Sequence, residues 1–400
     1  MTATEPWHRA LADLLARSHR MPPDALTAAI DAALAPLGVT VTIYLVDVEQ
    51  RDLRPLPGSG RPVPEALPID TSLAGRAFTQ VESHAGQGPP PRLWVPVVDG
   101  TDRLGLLEVF PPAGVDLADP ALRDGCRLIA GTIGHLVTSK TSYGDGLHRA
   151  RRSRPMDVSA ELLWQLLPPL TFATEEVTVS ALLEPCYEVG GDAFDYTLNG
   201  DTITLAILDG VGHGLPAVLT TAVALAATRA ARRAGGGLTA AAEAADAAIR
   251  GEFRDARFVT GVFAEFDLRD GLLSYVNAGH PSPLLLRGGR TVRALEGGRR
   301  LPLGLSRERQ EVARVRLEPG DRLLLHTDGV TEARDATGEM FGLGRLADLA
   351  ERHIRSGLPT PETLRRLGQA VGEHRGGPLR DDATLLLVEW SPEASDRVQP

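Results

Sequence analysis

Apolar positions recur along this chain at two spacings, in alternating blocks. Leu26, Ile30, Ala33 and Leu37 sit three and four residues apart, which predicts a helix that Gly38 ends. A first, weaker helical pattern precedes it. Val41, Ile43 and Leu45 then alternate with Thr42 and Tyr44, the two-residue period of a half-buried strand. Arg92 to Val98 and Arg103 to Phe110 read as two further strands, and Asp99-Gly100 between them is a hairpin signal. Pro- and Gly-rich stretches, Pro55 to Pro68 and Gly86 to Pro91, separate these elements. A helix is predicted from about Pro120 to Ser139, with Leu122, Cys126, Ile129 and Ile133 on one face.

The pattern changes at 141–158, where Gly144, Gly146 and the basic run His148 to Arg154 read as a solvated linker. Val158 to Leu167 is a short helical pattern closed by Pro168-Pro169. Its residues Leu162, Leu163, Leu166 and Leu167 form an apolar face that the rest of the chain or a second copy must cover. Beyond it, strands are predicted at Val177 to Leu183, Thr202 to Leu208, Phe258 to Leu268, Leu272 to Asn277, Arg322 to His326 and Thr384 to Glu389. Helices fall at about 214–233, 239–252, 343–356 and 360–373. In the first of these, Leu215, Val218, Leu219, Ala222 and Val223 form the predicted core-facing stripe.

Composition narrows the choice. The chain has 400 residues, 43% hydrophobic and 24% charged, which suits two globular domains rather than a disordered chain. A formal charge of −10 argues against a nucleic-acid partner. Cys126 and Cys186 cannot build a disulfide framework and read as buried thiols. The longest apolar run, Leu215 to Ala227, is interrupted by Thr220 and Thr221 and falls short of the roughly 20 residues of a membrane span. The expectation is a cytoplasmic protein without a membrane partner.

The candidate chemistry lies in aspartates beside glycine at strand margins. Gly190-Gly191-Asp192 follows one strand, Asp209-Gly210 another, and Asp328-Gly329 a third; Asp381-Asp382 precedes the last. Any one Asp-Gly pair is ordinarily a plain turn. Four such places in one domain would bring carboxylates together, and these repel unless a divalent cation offsets them. Oxygen ligands without a histidine or cysteine cluster favour Mg²⁺ or Mn²⁺ over zinc.

These residues lie in a set of ordered motifs: Glu188-Val-Gly-Gly-Asp192, Asp209-Gly-Val-Gly-His-Gly214, Tyr275-Val-Asn-Ala-Gly-His280, Leu301-Pro-Leu-Gly304, Thr327-Asp-Gly-Val-Thr-Glu-Ala333 and Asp381-Asp-Ala-Thr384. Together they resemble the metal-dependent (PPM-type) serine/threonine phosphatases, in the bacterial branch typified by the stage II sporulation phosphatase. The resemblance implies two ions, Mn²⁺ or Mg²⁺. Asp209 would bridge them with the Gly210 carbonyl as a further ligand, Asp192 would hold one, and Asp328 and Asp381 would complete the other. Asp209 and Asp192 would act through a water shared by ions about 4 Å apart, so no side-chain nucleophile is needed. Asp382 would hydrogen-bond locally, and Asp195 stays outside the metal set. His213 would line the site or fix its turn, and His280 would organise a loop.

The order of helices, strands, loops, closing hairpin and terminal helix over about 8–140 resembles a GAF sensory domain. The expected fold is α+β: a GAF-like domain at 8–140, a linker and regulatory helix at 141–170, and a phosphatase sandwich flanked by helices at 171–390. By analogy with the branch, the substrate would be a phosphorylated STAS-type regulatory protein, an anti-sigma-factor antagonist. A homodimer paired through the Val158 to Leu170 segment and an unknown small-molecule ligand of the GAF-like domain complete the expectation. The rival readings are a non-catalytic scaffold of the same fold and a small-molecule phosphatase.

Overall fold

The computed structural model describes residues 5–58, 60, 62–86, 88–188, 190–305, 311–375, 381–392 and 395–400. It divides into two compact units, Met1–Arg154 with Asp396–Pro400, and Pro155–Ser395.

The first unit runs α1 (Glu5–Ser18), α2 (Leu26–Leu34), β1 (Thr40–Val46), β2 (Asp52–Pro55), β3 (Leu67–Pro68), α3 (Leu73–Gln80), β4 (His84–Ala85), β5 (Leu93–Asp99), β6 (Asp102–Phe110), α4 (Pro120–Thr141) and α5 (Gly146–Ala150). Its strands form one antiparallel sheet in the order β3-β2-β1-β6-β5-β4. Strand alternation gives each face its own core. Val41, Ile43 and Leu45 pack with Leu14, Ile30, Ile129 and Ile133 of the helices, whereas Tyr44, Phe78, Trp94 and Leu106 pack on the side of α3. The basic run after residue 147 is not a free tether. Leu147 is buried in this core, Arg54 Nε donates to the Ala150 carbonyl (3.1 Å), and Arg151 Nε donates to Val46 O (3.0 Å).

The second unit opens with α6 (Val158–Leu166), β7 (Thr171–Ala173), β8 (Val177–Glu184), β9 (Asp192–Asn199) and β10 (Thr202–Gly210). It continues through α7 (Leu215–Arg233), α8 (Leu238–Glu252), β11 (Val259–Asp267), β12 (Leu272–Ala278), β13 (Leu284–Arg287), β14 (Arg290–Ala294), β15 (Arg299–Arg300) and β16 (Ala313–Arg316). It closes with β17 (Arg322–His326), α9 (Asp328–Thr331), α10 (Gly342–Arg355), α11 (Thr360–His374) and β18 (Ala383–Trp390). One sheet has the order β15-β12-β11-β10-β9 with β16 on β12; the other is β14-β13-β17-β18-β8-β7.

The two-residue period builds the layers. Ile203, Leu205 and Ile207 of β10 face Leu386 and Val388 of β18 across the space between the sheets. Ala206 and Leu208 face the other way, onto α7 and α8, and Leu385 and Leu387 pack under α10 and α11. Helices therefore cover both outer faces of a two-sheet sandwich.

The structure decides one open expectation here and changes another. The α6 face is covered within the unit: Leu163, with 0% exposure, packs with Leu183, Ala193, Val218 and Leu225. Trp164 Nε1 donates to Cys186 O (2.8 Å). A glutamate at 163 would thus place an unpaired charge in a core and unfold the domain. The stripe assigned to α7 is also rotated. Leu215 and Leu219 are 40% and 42% exposed, while Ala217, Val218, Thr220, Thr221, Ala224, Leu225 and Thr228 are buried.

Candidate metal centre

Antiparallel pairing of β9 with β10 sets Asp192 directly opposite Asp209, and the register needs no bulge. Asp192 is the first residue of its strand and is buried; Asp209 is the penultimate residue of its strand and half-buried. Asp328 opens α9 just beyond β17, and Asp381 is exposed immediately before β18. Because β17 and β18 are neighbours, these two carboxylates meet at the same margin of the second sheet. Gly329 permits that approach, since a Cβ there would fall 1.8 Å from the Asp382 carbonyl oxygen.

The aspartates are held by groups that the sequence reading passed over. Thr327 Oγ1 donates to Asp192 Oδ2 (2.7 Å) and accepts from the Thr384 N–H (2.9 Å), tying the two sheets at the site. Asp382 is buried, and its carboxylate accepts from the backbone N–H groups of Gly190 (2.6 Å), Gly191 (2.8 Å) and Asp192 (3.1 Å). It therefore bonds across the whole domain, which corrects the expectation of a local partner. Thr221 Oγ1 donates to Gly191 O (2.6 Å), and Gly210 N–H donates to the same carbonyl (3.2 Å). A Cβ on Gly191 would stand 2.7 Å from the Gly210 carbonyl oxygen, so this close pairing of the two loops requires glycine. The signal for Asp382 was its place in the Asp-Asp pair; Thr221 was visible only as a polar break in an apolar run.

Electrostatics at the cluster is strongly repulsive. Burial, then Asp328, Asp381 and Asp382, push the Asp209 carboxyl up to about 7. Burial, then Asp209 and Asp382, raise Asp192 well above the carboxylate range. Asp381 rises through burial and Asp328, and Asp382 rises through burial despite its three backbone donors. Such shifts in one place mark groups whose charged forms await compensation. Among the described residues, no three His, Cys, Asp or Glu side chains already stand in coordination geometry. The donor set nevertheless fits a hard divalent cation: it is all oxygen, gathered at paired strand ends, and includes the Gly210 carbonyl crowding Gly191.

The other candidates stand apart from the cluster. Asp195 is bound by Arg229 (2.7 Å) and Arg232 (2.8 Å), so it locks the end of α7 onto β9. His213 is exposed in the turn before α7. His280 takes an Asn277 Oδ1 hydrogen bond on its N–H (2.8 Å), and its Nδ1 lies 2.8 Å from Thr260 Oγ1, itself 3.5 Å from Asp209 Oδ2. Burial, with His326 and Arg299 nearby, lowers the His280 imidazole to about 3, so it is neutral and organises the loop. Both cysteines are buried thiols outside any disulfide.

The division of labour between neighbouring aspartates is testable. Asp382→Ala leaves three backbone donors without an acceptor, each costing about 1–3 kcal/mol. It should lower Tm by about 5 °C or more, whereas Asp381→Ala at an exposed position should hold Tm within about 2 °C. Thermal unfolding followed by circular dichroism checks this; equal Tm losses would contradict the anchoring role of Asp382.

Comparison with known proteins agrees with this geometry. Residues 199–391 match the family described as Stage II sporulation protein E (SpoIIE). The chain is 24% identical over 235 residues to the phosphoserine phosphatase RsbU of Bacillus subtilis (strain 168), covering 58% of this chain and 69% of RsbU. It is 28% identical over 133 residues to protein IcfG of Synechocystis sp. (strain ATCC 27184 / PCC 6803 / Kazusa), 33% of this chain but 21% of that one. The solved SiaA-PP2C domain of Pseudomonas aeruginosa superposes with a TM-score of 0.50 at 27% identity, covering 58% of this chain and 94% of that domain. The second unit of the chain is a SpoIIE/PP2C-type serine/threonine phosphatase domain.

Proposed function

We propose that the carboxylate cluster hydrolyses a phosphoserine or phosphothreonine on a regulatory protein, with two Mn²⁺ or Mg²⁺ ions as cofactors. The observation that carries this reading is the raised Asp209 carboxyl, facing Asp192 across paired strands with Asp328, Asp381 and Asp382 as its next electrostatic neighbours. Asp209, the Gly210 carbonyl and Asp192 would hold one side of the centre, and Asp328 and Asp381 the other. When bound, such ions supply an activated water and offset charge on the phosphoryl oxygens. The chain's own residues set the geometry: Thr327 fixes the Asp192 carboxylate, and Asp382 fixes the loop that carries it. Cys186 offers no rival nucleophile, being buried with its Sγ donating to Leu183 O (3.3 Å).

The likeness to the phosphoserine phosphatase RsbU supports a phosphoserine substrate, and the branch resemblance narrows it to a STAS-type anti-sigma-factor antagonist. The single antiparallel sheet of the first unit, with α1, α2 and α4 on one face and α3 on the other, supports its reading as a GAF-like sensory domain. Leu163 is buried in the domain core, so a homodimer would pair through the half-buried Leu162, Leu166 and Leu167 of the Val158 to Leu170 segment.

Phosphate release from a phosphorylated STAS-domain protein, a phosphoserine peptide and p-nitrophenyl phosphate tests the reading. We expect turnover only with Mn²⁺ or Mg²⁺, and kcat/KM on the protein at least about 100-fold above that on p-nitrophenyl phosphate. Preference for the small ester would select the small-molecule reading, and no turnover on any of the three would select the scaffold.

A further inference from the structure

The first unit contains a cavity of about 510 Å³, within the range of about 300–1,000 Å³ typical of small-molecule sites. It lies at the edge of the helical layer, walled by the start of α2, the segment that follows β2, and α5. Its floor is apolar: Leu26, Leu56 and Leu147 are all buried. The walls resist collapse, because Pro55, Pro57 and Pro64 each have a ring-fixed φ and Thr27 Oγ1 ties Pro57 O to α2 (3.1 Å). A separate narrow space of about 50 Å³ shares Thr27, Leu56 and Pro64 with the cavity and is lined further by Ile30, Asp31, Val41, Thr42 and Ile43. The leucine floor and proline walls of the larger cavity fit an occupant that is apolar over most of its length.

The charged groups at the edge decide the head group. Arg54 and Arg149 both line the cavity, against a single exposed carboxylate, Asp24. Arg54 spends Nε on the Ala150 carbonyl, and among the described residues its two terminal nitrogens bond nothing. The exposed Arg149 bonds only through its backbone, and its guanidinium has no hydrogen-bond or ion-pair partner among the described residues. Two guanidinium groups with unused forked donors suit a carboxylate or phosphate oxygen pair. The other face of the sheet is built differently, filled by Tyr44, Phe78 and Trp94.

We propose that this cavity is a ligand site for a small amphiphilic oxyanion, an apolar chain or ring system bearing one carboxylate or phosphate. The ligand would clamp α5 to α2 and β2. Only 151–157 separate α5 from α6 of the phosphatase unit, so its occupancy would be felt at the chain segment that enters that unit.

Calorimetric titration of the chelator-stripped full chain with octanoate, octyl phosphate, 1-octanol and octylamine tests this without any use of the metal-dependent phosphatase activity. One site per chain is expected, with at least one of the two anions binding about tenfold or more tighter than the alcohol or the amine. Preference between octanoate and octyl phosphate identifies the head group. Arg149→Ala should weaken the anion about fivefold or more and leave octanol unchanged, with Arg54→Ala as the second variant. Val63→Trp, at an exposed position on the wall, should block every probe. Equal affinity for octanol and octanoate, no binding of either anion at millimolar concentration, or anion affinity unmoved by both arginine variants would overturn the proposal.

Discussion

Asp209→Asn should lower phosphatase activity by more than about 100-fold while making the metal-free protein more stable. The two effects have one cause. Burial, then the neighbouring Asp328, Asp381 and Asp382, push the Asp209 carboxyl up to about 7, so its charge at neutral pH is a burden on the folded state. An amide keeps the shape and removes the charge. At pH 7.5 in chelator, Tm should therefore rise by about 2 °C or more, even as the residue proposed to bridge the ions is lost. Ordinary damage to the fold would lower activity and Tm together. Steady-state kinetics and calorimetry on the same preparation separate the outcomes, and a variant that is active, or inactive and less stable, contradicts the role given to Asp209.

The second large effect is in the pH dependence of stability. An ordinary unfolded carboxylate titrates near 4, whereas the folded Asp209 carboxyl titrates at about 7. Between those values the folded state holds more protons than the unfolded one, so stability falls as pH rises through that window. Asp192, Asp381 and Asp382 shift in the same direction, each through burial first, and add to the fall. In chelator, Tm should drop between pH 5 and pH 7.5, and the drop should be smaller in Asp209→Asn. Mn²⁺ added at pH 7.5 should recover the loss, because binding to the folded state offsets the same repulsion. A metal-free Tm that is flat over this range, or slopes identically in both proteins, would show that the carboxylates do not share a field.

How far the sequence could be read follows from what each residue's neighbours are. Asp192 and Asp209 were legible because each sits beside glycine at the margin of an apolar strand, and the sandwich then pairs those strands in register. Strand β9 itself was not legible: Asp192, Asp195 and Asn199 break the apolar alternation, and the carboxylates find their partners, Thr327 for Asp192 and Arg229 and Arg232 for Asp195, on distant segments. The short strands β13 to β16 were missed for a related reason. They pair for two to five residues each, too few for a period to emerge, and β14 carries Arg290 and Arg293.

Helix α7 shows a different limit. Counting Leu215 and Leu219 as the inner face assumed that threonine points outward. Instead Thr220 and Thr228 bond carbonyls of their own helix, Thr221 bonds Gly191 O, and all three lie inside. A hydroxyl that satisfies itself on backbone can be buried at little cost, so hydropathy alone rotates the helix wrongly. The same ambiguity hid Asp382, whose three backbone partners lie some 190 residues away.

The central claim is that these oxygens hold two divalent ions, and the most direct measurement of it is calorimetric titration of Mn²⁺ into chelator-stripped protein. The account predicts two ions bound per chain at pH 7.5, protons released on binding as the raised carboxyls ionise, and loss of at least one ion in Asp209→Asn. A stoichiometry of zero, or an isotherm that Asp209→Asn leaves unchanged, would contradict it.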